Sequence, residues 1–403
     1  MITYIKELFS TFNAVLRSRY RWIAIFYLVW LYRIEFMPDT GGGMEKALQV
    51  VSLFAIILLL NEYGGNFVAR GFKNTNGAVK TMLVLYCFAI LSTVWAFLPQ
   101  FAFFLSFQNV VMILALVWVL TLFEDFHSTE KAFIYFAVLT MLFETIALRL
   151  TMQHVLIAHF LPAGSCAAML FSYCVGEFLV IKGKDWDREK LLKNTIFLTV
   201  IILFLHTSGG ANASAAFGAA VALWVSGRFF IAAVLTAVVI YISVSPDLMN
   251  SIILTLMPDK SLEQIESGNG RQVIWEILLD RAKEKPLLGW GFACVERTVG
   301  TIFGTQTLSD THNNYIGMYG SLGIVGLSLF IIHYISQLFF SLKRRLEPGY
   351  AGILSATACG MLNGYSYGYM SGKTCSITIV YFALVALGYS YSEVKSYNGT
   401  DVE

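Results

Sequence analysis

Two residues stand out for chemistry: His312 in "SDTHNNYIGMYGSLGIVGL" (309–327) and Arg271 in "SGNGR" (267–271). A neutral imidazole can take a proton from a hydroxyl nucleophile, and general-base help of that kind contributes about 10²–10⁴ in rate. Asn313 and Asn314 beside it are able to hold the ring or to bind hydroxyls themselves. An arginine stays charged and forks onto phosphate oxygens. It can therefore stabilise a departing diphosphate without a metal. Gly268, Asn269 and Gly270 next to Arg271 let backbone N–H groups approach the same anion. The plainer alternatives are an interfacial histidine reaching water and a solvated loop arginine.

Charges inside apolar runs come next: Arg33 with Glu35, Glu144 with Arg149, and Glu177. Such residues are costly in a membrane and line a cavity or pair with one another. Arg33 and Arg149 fall toward the same side as His312, where they are candidates for further diphosphate contacts; mutual pairing or snorkelling is the alternative. There is no Walker loop, GxSxG or HExxH. Asp310 and Glu296 do not make a glycosidase carboxylate pair. Cys87, Cys166, Cys174, Cys294, Cys359 and Cys375 are scattered without a metal-like spacing. No metal, cofactor or nucleic-acid partner is expected, whereas membrane lipid is.

The elements that must position these residues follow from composition. The chain has 403 residues, 57% hydrophobic and 13% charged, against about 25% charge in soluble domains. Apolar runs of the length that crosses a bilayer recur from end to end, without the alternating strands of a barrel. The expected fold is an all-α polytopic membrane protein of about twelve transmembrane helices, with one large ordered outer loop between spans 9 and 10. The spans lie near 22–37, 46–61, 81–98, 108–123, 132–150, 161–181, 193–207, 213–227, 229–245, 312–341, 350–368 and 374–392.

Basic residues gather on one side: Lys6, Arg17, Arg19, Arg21; Arg70, Lys73, Lys80; Lys182, Lys184, Arg188, Lys190, Lys193; and Lys343, Arg344, Arg345. The opposite connectors "MPDTGGGME", "PQFAFFLSF" and "TSGGANAS" have almost none. The positive-inside rule then makes both termini cytoplasmic, with the N-terminal segment retained. Residues 1–245 hold spans 1–9, 246–311 form the outer loop, 312–392 hold spans 10–12 and 393–403 are a cytoplasmic tail. Within the loop, Val273, Ile274, Ile277, Leu278 and Ala282 form the apolar stripe of a helix that stops at Pro286. "PLLGWGF" follows as a tight turn needing Gly289 and Gly291. The loop is expected to be an ordered cap on the membrane surface. Internal repeats are not apparent, which weighs against a transporter.

These two blocks together resemble the O-antigen ligase and polymerase superfamily. In that family a histidine is followed by Asn, Ser or Gln, nine residues, a glycine, two residues and a glycine; His312, Asn313, Gly323 and Gly326 fit. Upstream, Arg271, Trp275, Pro286, Gly289 and Gly291 match its Arg, Trp, Pro and Gly-x-Gly order. The resemblance covers roughly residues 190–335. One departure is "HTSGGANASAAFG", where many relatives carry a Ser-Arg pair and this chain has Thr207-Ser208 followed by glycine.

The resemblance implies a metal-independent, inverting glycosyltransferase of surface-polysaccharide (O-antigen or exopolysaccharide) biosynthesis, multi-pass in the bacterial inner membrane, with its active site on the periplasmic face. The donor is an undecaprenyl-pyrophosphate-linked oligosaccharide, with His312 as base and Arg271 on the pyrophosphate. The acceptor is a second lipid-linked repeat unit for a polymerase, the expectation the missing arginine favours. For a ligase it is lipid A-core or another terminal acceptor. A polysaccharide chain-length regulator is a further implied partner. A flippase for lipid-linked oligosaccharide is the rival of a different class.

Overall fold

The computed structural model describes residues 51–58, 77–120, 125–151, 161–183, 185–206, 208–234, 271–299, 301–302, 306–307, 311–372 and 374–398, with isolated positions near the N-terminus. The helices, in order, are α1 (Gly77–Leu91), α2 (Pro99–Leu120), α3 (Phe126–Thr151), α4 (Leu161–Ile181), α5 (Trp186–His206), α6 (Gly209–Val225), α7 (Arg271–Lys283), α8 (Asn314–Lys343), α9 (Tyr350–Ser366) and α10 (Ser376–Asn398). A two-residue antiparallel hairpin, β1 (Thr301–Ile302) with β2 (Gln306–Thr307), is the sheet among the described residues.

Four helical stretches in the described residues are long and apolar enough to cross a membrane: Gly77–Val94, Pro99–Leu120, Leu161–Ile181 and Asn314–Lys343. Gly209–Val225 and Ser376–Gly388 are apolar but shorter.

Element boundaries revise the sequence expectation at several points. The segment 99–107, expected as a connector, is the start of α2: Pro99 takes the first helical position, where its missing N–H costs nothing. Likewise α6 begins inside the expected connector "TSGGANAS", because the Ser208 hydroxyl accepts from Ala211 N and caps it. Helix α5 starts at Trp186, earlier than 193, with Asp187 and Glu189 in its first turn complementing the helix dipole. The expected span 22–37 lies outside the described residues, as do parts of 46–61 and of 229–245. Of the expected loop 246–311, residues 246–270 also lie outside.

Helix α8 is broken in the middle. Gly323 has φ 65° and ψ −166°, a conformation outside the helical region and essentially confined to glycine. In an unbroken helix Ile324 N would donate to Gly320 O and Val325 N to Ser321 O. Here the loop after α7 takes over all four groups. Trp290 N donates to Gly320 O at 3.1 Å and Gly291 N to Ser321 O at 2.8 Å. Ile324 N donates to Pro286 O at 2.9 Å and Val325 N to Leu287 O at 3.4 Å. Two helical bonds are thus exchanged for four to the loop, so these four backbone groups keep partners in an apolar surround.

The docking is backbone against backbone. A Cβ on Gly289 (φ 67°) would overlap Ser321 and Leu322, and one on Gly323 would overlap Leu287 and Leu288. Gly291 (φ 95°) lies against Ala96, and the segment is pinned to the end of α1 as well. Trp95 Nε1 donates to Leu288 O at 2.9 Å, Phe97 N to Trp290 O at 2.8 Å, and Phe292 N to the Ser92 hydroxyl at 3.0 Å. The helix before it, α7, buries Leu278 and Ala282 while Val273 is exposed. The seated stripe therefore runs through Arg271, Trp275, Leu278 and Ala282, keeping the last two residues of the expected stripe but rotated away from Val273, because the polar heads of Arg271 and Trp275 have partners under the helix.

Helices α4, α6 and α9 pack as a close trio through small residues. Gly176 meets the Ala351 backbone, Gly218 meets Ser172 and Ser355, and Gly352 meets the Tyr173 ring. Small side chains let helix backbones approach where hydrophobic force between helices is weak. At the end holding the N-terminus of α9, Arg188 bridges two buried carboxylates, Glu130 and Glu177. The Tyr173 hydroxyl donates to Glu130 at 2.8 Å. Glu177 also accepts from Gly349 N and Gly352 N, each at 2.8 Å, and so caps α9 from outside its own helix. The arginine expected in a cytoplasmic connector is thus a buried partner for the intramembrane Glu177.

Gly323→Ala should lower stability by about 1–3 kcal/mol from backbone conformation alone, plus the overlap with Leu287. Gly183→Ala is the control: φ is 80° there but nothing lies within 4 Å of a Cβ, so only about 1 kcal/mol is expected. Thermal unfolding in detergent should give the larger Tm drop for Gly323→Ala. Equal drops would contradict the close backbone docking.

Candidate active site

The site is built where one end of α7, α8 and α6 meets the C-terminal end of α9. Trp275 Nε1 donates to Thr311 O at 3.0 Å, and Thr311 precedes His312 directly. The Trp275 ring stands edge-on to Tyr365, centroids 5.3 Å apart. One turn earlier in α7, Arg271 Nη1 donates to Ser366 O at 3.0 Å, at the end of α9. Trp275 thereby ties the helix carrying Arg271 to the strand of chain carrying His312. A Cβ on Gly210 would overlap the Ser366 side chain, so the first turn of α6 sits at the same place.

His312 is half-buried and has φ 52°, a left-handed conformation. Non-glycine residues cost about 1–2 kcal/mol there, though His, Asn and Asp tolerate it best. The turn is held on its C-terminal side. The Thr311 hydroxyl bonds Asn313 O at 2.9 Å. Asn313 Oδ1 accepts from Tyr315 N at 2.9 Å and from Ile316 N at 3.1 Å, forming the N-cap of α8. Asn313, expected to contact substrate, is buried and its oxygen is taken by the cap. Its geometry is that of a helix N-cap.

Asn314 is fixed from behind, its Oδ1 accepting from Met370 N at 2.7 Å. Its Nδ2, the Asn363 carboxamide and the Ser371 hydroxyl are buried with no protein hydrogen-bond partner among the described residues. Thr311, Asn363, Tyr365, Ser366 and Ser371 were not singled out from the sequence. Thr311 adjoins His312, while the other four come from the end of α9 and the turn after it, a meeting that no local pattern records.

The other expected residues divide cleanly. Pro286, Gly289, Gly291 and Gly323 make the splice of loop into helix, and at Gly326 a Cβ would overlap Leu322. Their task is to hold α7 and the first half of α8 in register. Arg149 belongs to α3, but its side chain lies outside the description, and Arg33 lies outside the described residues. Cys294 offers no nucleophile: burial pushes its thiol up to about 11, and it donates to Leu98 O at 3.8 Å.

A second histidine is accounted for structurally. His333 Nδ1 lies 3.1 Å from Ala78 O, an acceptor, so Nδ1 carries the proton. Its Nε2 then accepts from the Tyr381 hydroxyl at 2.9 Å.

The arrangement puts an imidazole and a permanent cation at one helix-bundle end, beside the positive N-terminal ends of α6, α7 and α8. Residues 195–331 match the family model described as O-antigen ligase. No curated protein matches the chain. The match contains both Arg271 and His312 and shows the resemblance to the O-antigen ligase and polymerase superfamily. It supports, in general terms, a membrane glycosyltransferase that joins a lipid-linked glycan to an acceptor.

Asn313→Ala should cost about 1 kcal/mol through the lost cap, and Asn313→Asp should retain stability. Melting curves of the two variants check this. An Asn313→Ala protein with unaltered Tm and a raised KM for the glycan would instead assign the side chain to substrate.

Proposed function

We propose that this chain, with its O-antigen ligase segment at 195–331, transfers a glycan from undecaprenyl pyrophosphate to a sugar hydroxyl on the outer face of the bacterial inner membrane. The observation that carries the reading is the tie from Trp275 to Thr311, which brings the elements bearing Arg271 and His312 to one end of the bundle. His312 takes the proton of the acceptor hydroxyl. The freed oxygen attacks the anomeric carbon from the face opposite the leaving group. The bond from that carbon to the diphosphate oxygen breaks, and undecaprenyl pyrophosphate departs as an anion with the configuration inverted.

Arg271 is oriented by Ser366 O, which engages one of the guanidinium's five N–H donors. The developing diphosphate charge is met by this cation and the neighbouring helix N-termini, with no metal required. Helix α7 and the spliced loop cover the site and limit attack by water. Asn313 acts by aiming the imidazole. Arg149 and Arg33 remain the candidates for a second diphosphate contact.

In this reading twelve spans cross the membrane, with residues 1–245 carrying nine, 246–311 forming the periplasmic loop, 312–392 carrying three and 393–403 in the cytoplasm. The basic residues Arg344 and Arg345 follow the far end of α8, away from His312, in keeping with the positive-inside rule. The acceptor is a second lipid-linked repeat unit, making the enzyme a polymerase that works beside a chain-length regulator. The second reading is a ligase acting on lipid A-core or another terminal acceptor; the family match at 195–331 accommodates both.

The test is purified protein in liposomes with a synthetic undecaprenyl-pyrophosphate oligosaccharide, products read by mass spectrometry. His312→Ala should lower the rate by about 10²–10⁴, and Arg271→Ala should abolish product while both variants still insert in the membrane. Near-normal product from His312→Ala would discard the base assignment. Joined repeat units identify a polymerase; transfer only to added lipid A-core identifies a ligase.

A further inference from the structure

At the end of the bundle opposite Arg271 and His312 the structure holds a cleft of about 550 Å³ between the C-terminal ends of α4, α6 and α8. Its walls are apolar, with Leu179 and Val180 of α4 facing Leu342 of α8. Trp224 and Phe229 line it while remaining 49% and 59% exposed, the half-in posture of aromatic residues at a membrane–water boundary. Arg345 also lines it, and Arg228 stands between the lining residues Gly227 and Phe229.

The charges around the cleft are unevenly committed. Arg344 is engaged: its Nη2 lies 2.8 Å from Glu347, and its guanidinium lies over the Phe340 and Tyr350 rings. Arg345 has only a 3.3 Å contact to Leu342 O, and no carboxylate pairs with Arg345 or Arg228 among the described residues. The carbonyls of the two helix ends are already closed. Arg228 N donates to Leu223 O, Gly227 N to Trp224 O and Arg345 N to Leu342 O. A ligand there meets the Arg345 guanidinium at an apolar cavity, with Arg228 next in sequence to the lining residues Gly227 and Phe229, and few bare carbonyls.

We propose that this cleft is a binding site for an anionic phospholipid, its phosphate between Arg228 and Arg345 and an acyl chain along Leu179, Val180 and Leu342. The argument is charge complementarity combined with depth. An apolar cleft beside membrane-length helices takes hydrocarbon, and cations without a carboxylate partner next to it select a negative headgroup. The site is separate from the transfer reaction, and its test uses no glycan.

The protein is reconstituted in vesicles of phosphatidylcholine containing chain-brominated phosphatidylglycerol or chain-brominated phosphatidylcholine. The Trp224 signal is isolated by subtracting Trp224→Phe. Brominated phosphatidylglycerol should quench it at a lower mole fraction than brominated phosphatidylcholine. Each neutralised arginine should reduce that preference by about fivefold, so Arg345→Gln weakens it and the Arg228→Gln, Arg345→Gln pair removes it.

Equal quenching by the two lipids would mean ordinary annular lipid and overturn the proposal, as would no quenching at all. A preference surviving in the double variant would place the headgroup elsewhere and also overturn it. Loss of the preference on adding inorganic phosphate would assign a free-phosphate site instead. Native mass spectrometry of the unaltered protein, independent of any variant's folding, should retain phosphatidylglycerol over phosphatidylcholine; no selective retention counts against the site.

Discussion

The structure depends on one exchange of backbone hydrogen bonds. Breaking α8 at Gly323 exposes two carbonyls and two amides inside an apolar bundle, where each unpaired group costs several kcal/mol. The loop from Pro286 to Gly291 supplies partners for all four. It can come close enough only because glycine stands at 289, 291 and 323. The same segment is fastened to the end of α1 through Trp95 and Ser92. Position and orientation of α7 follow from this splice, and so does the placement of Arg271 relative to the start of α8.

Helix α9 connects the two ends of the molecule electrostatically. Its first-turn amides are met by the Glu177 carboxylate, itself balanced by Arg188. Its last-turn carbonyl at Ser366 is met by Arg271. A negative group at the N-terminus and a positive one at the C-terminus both complement the helix dipole. The Arg271 guanidinium, proposed to meet the diphosphate, is therefore already seated against a partial negative charge in the protein alone, at a position set by the end of α9.

Much of the fold was legible in the chain because membrane-length apolar runs carry their own boundaries: 161–181 was read to the residue. Starts set by capping were harder. Pro99 and Ser208 open helices within stretches whose small or mixed residues read as connectors. The glycines at 289, 291 and 323 were legible as a spacing, but their reason was not, since each one's neighbour lies more than 30 residues away in sequence. Val273 was misplaced because hydrophobicity alone cannot tell that Arg271 and Trp275, through polar atoms, take the inner face of α7. Asn313 and Asn314 looked alike as side chains beside a histidine; one is a cap and the other is a clasp on Met370.

The splice also has a bearing on biosynthesis. Ribosomes deliver Pro286–Gly291 before Gly323, so the docking strand exists when the discontinuous helix is made and its freed amides have somewhere to go. In a circularly permuted chain that supplied α8 first, the same helix would wait in lipid with its ladder open, and closing into a straight rod would become the competing outcome.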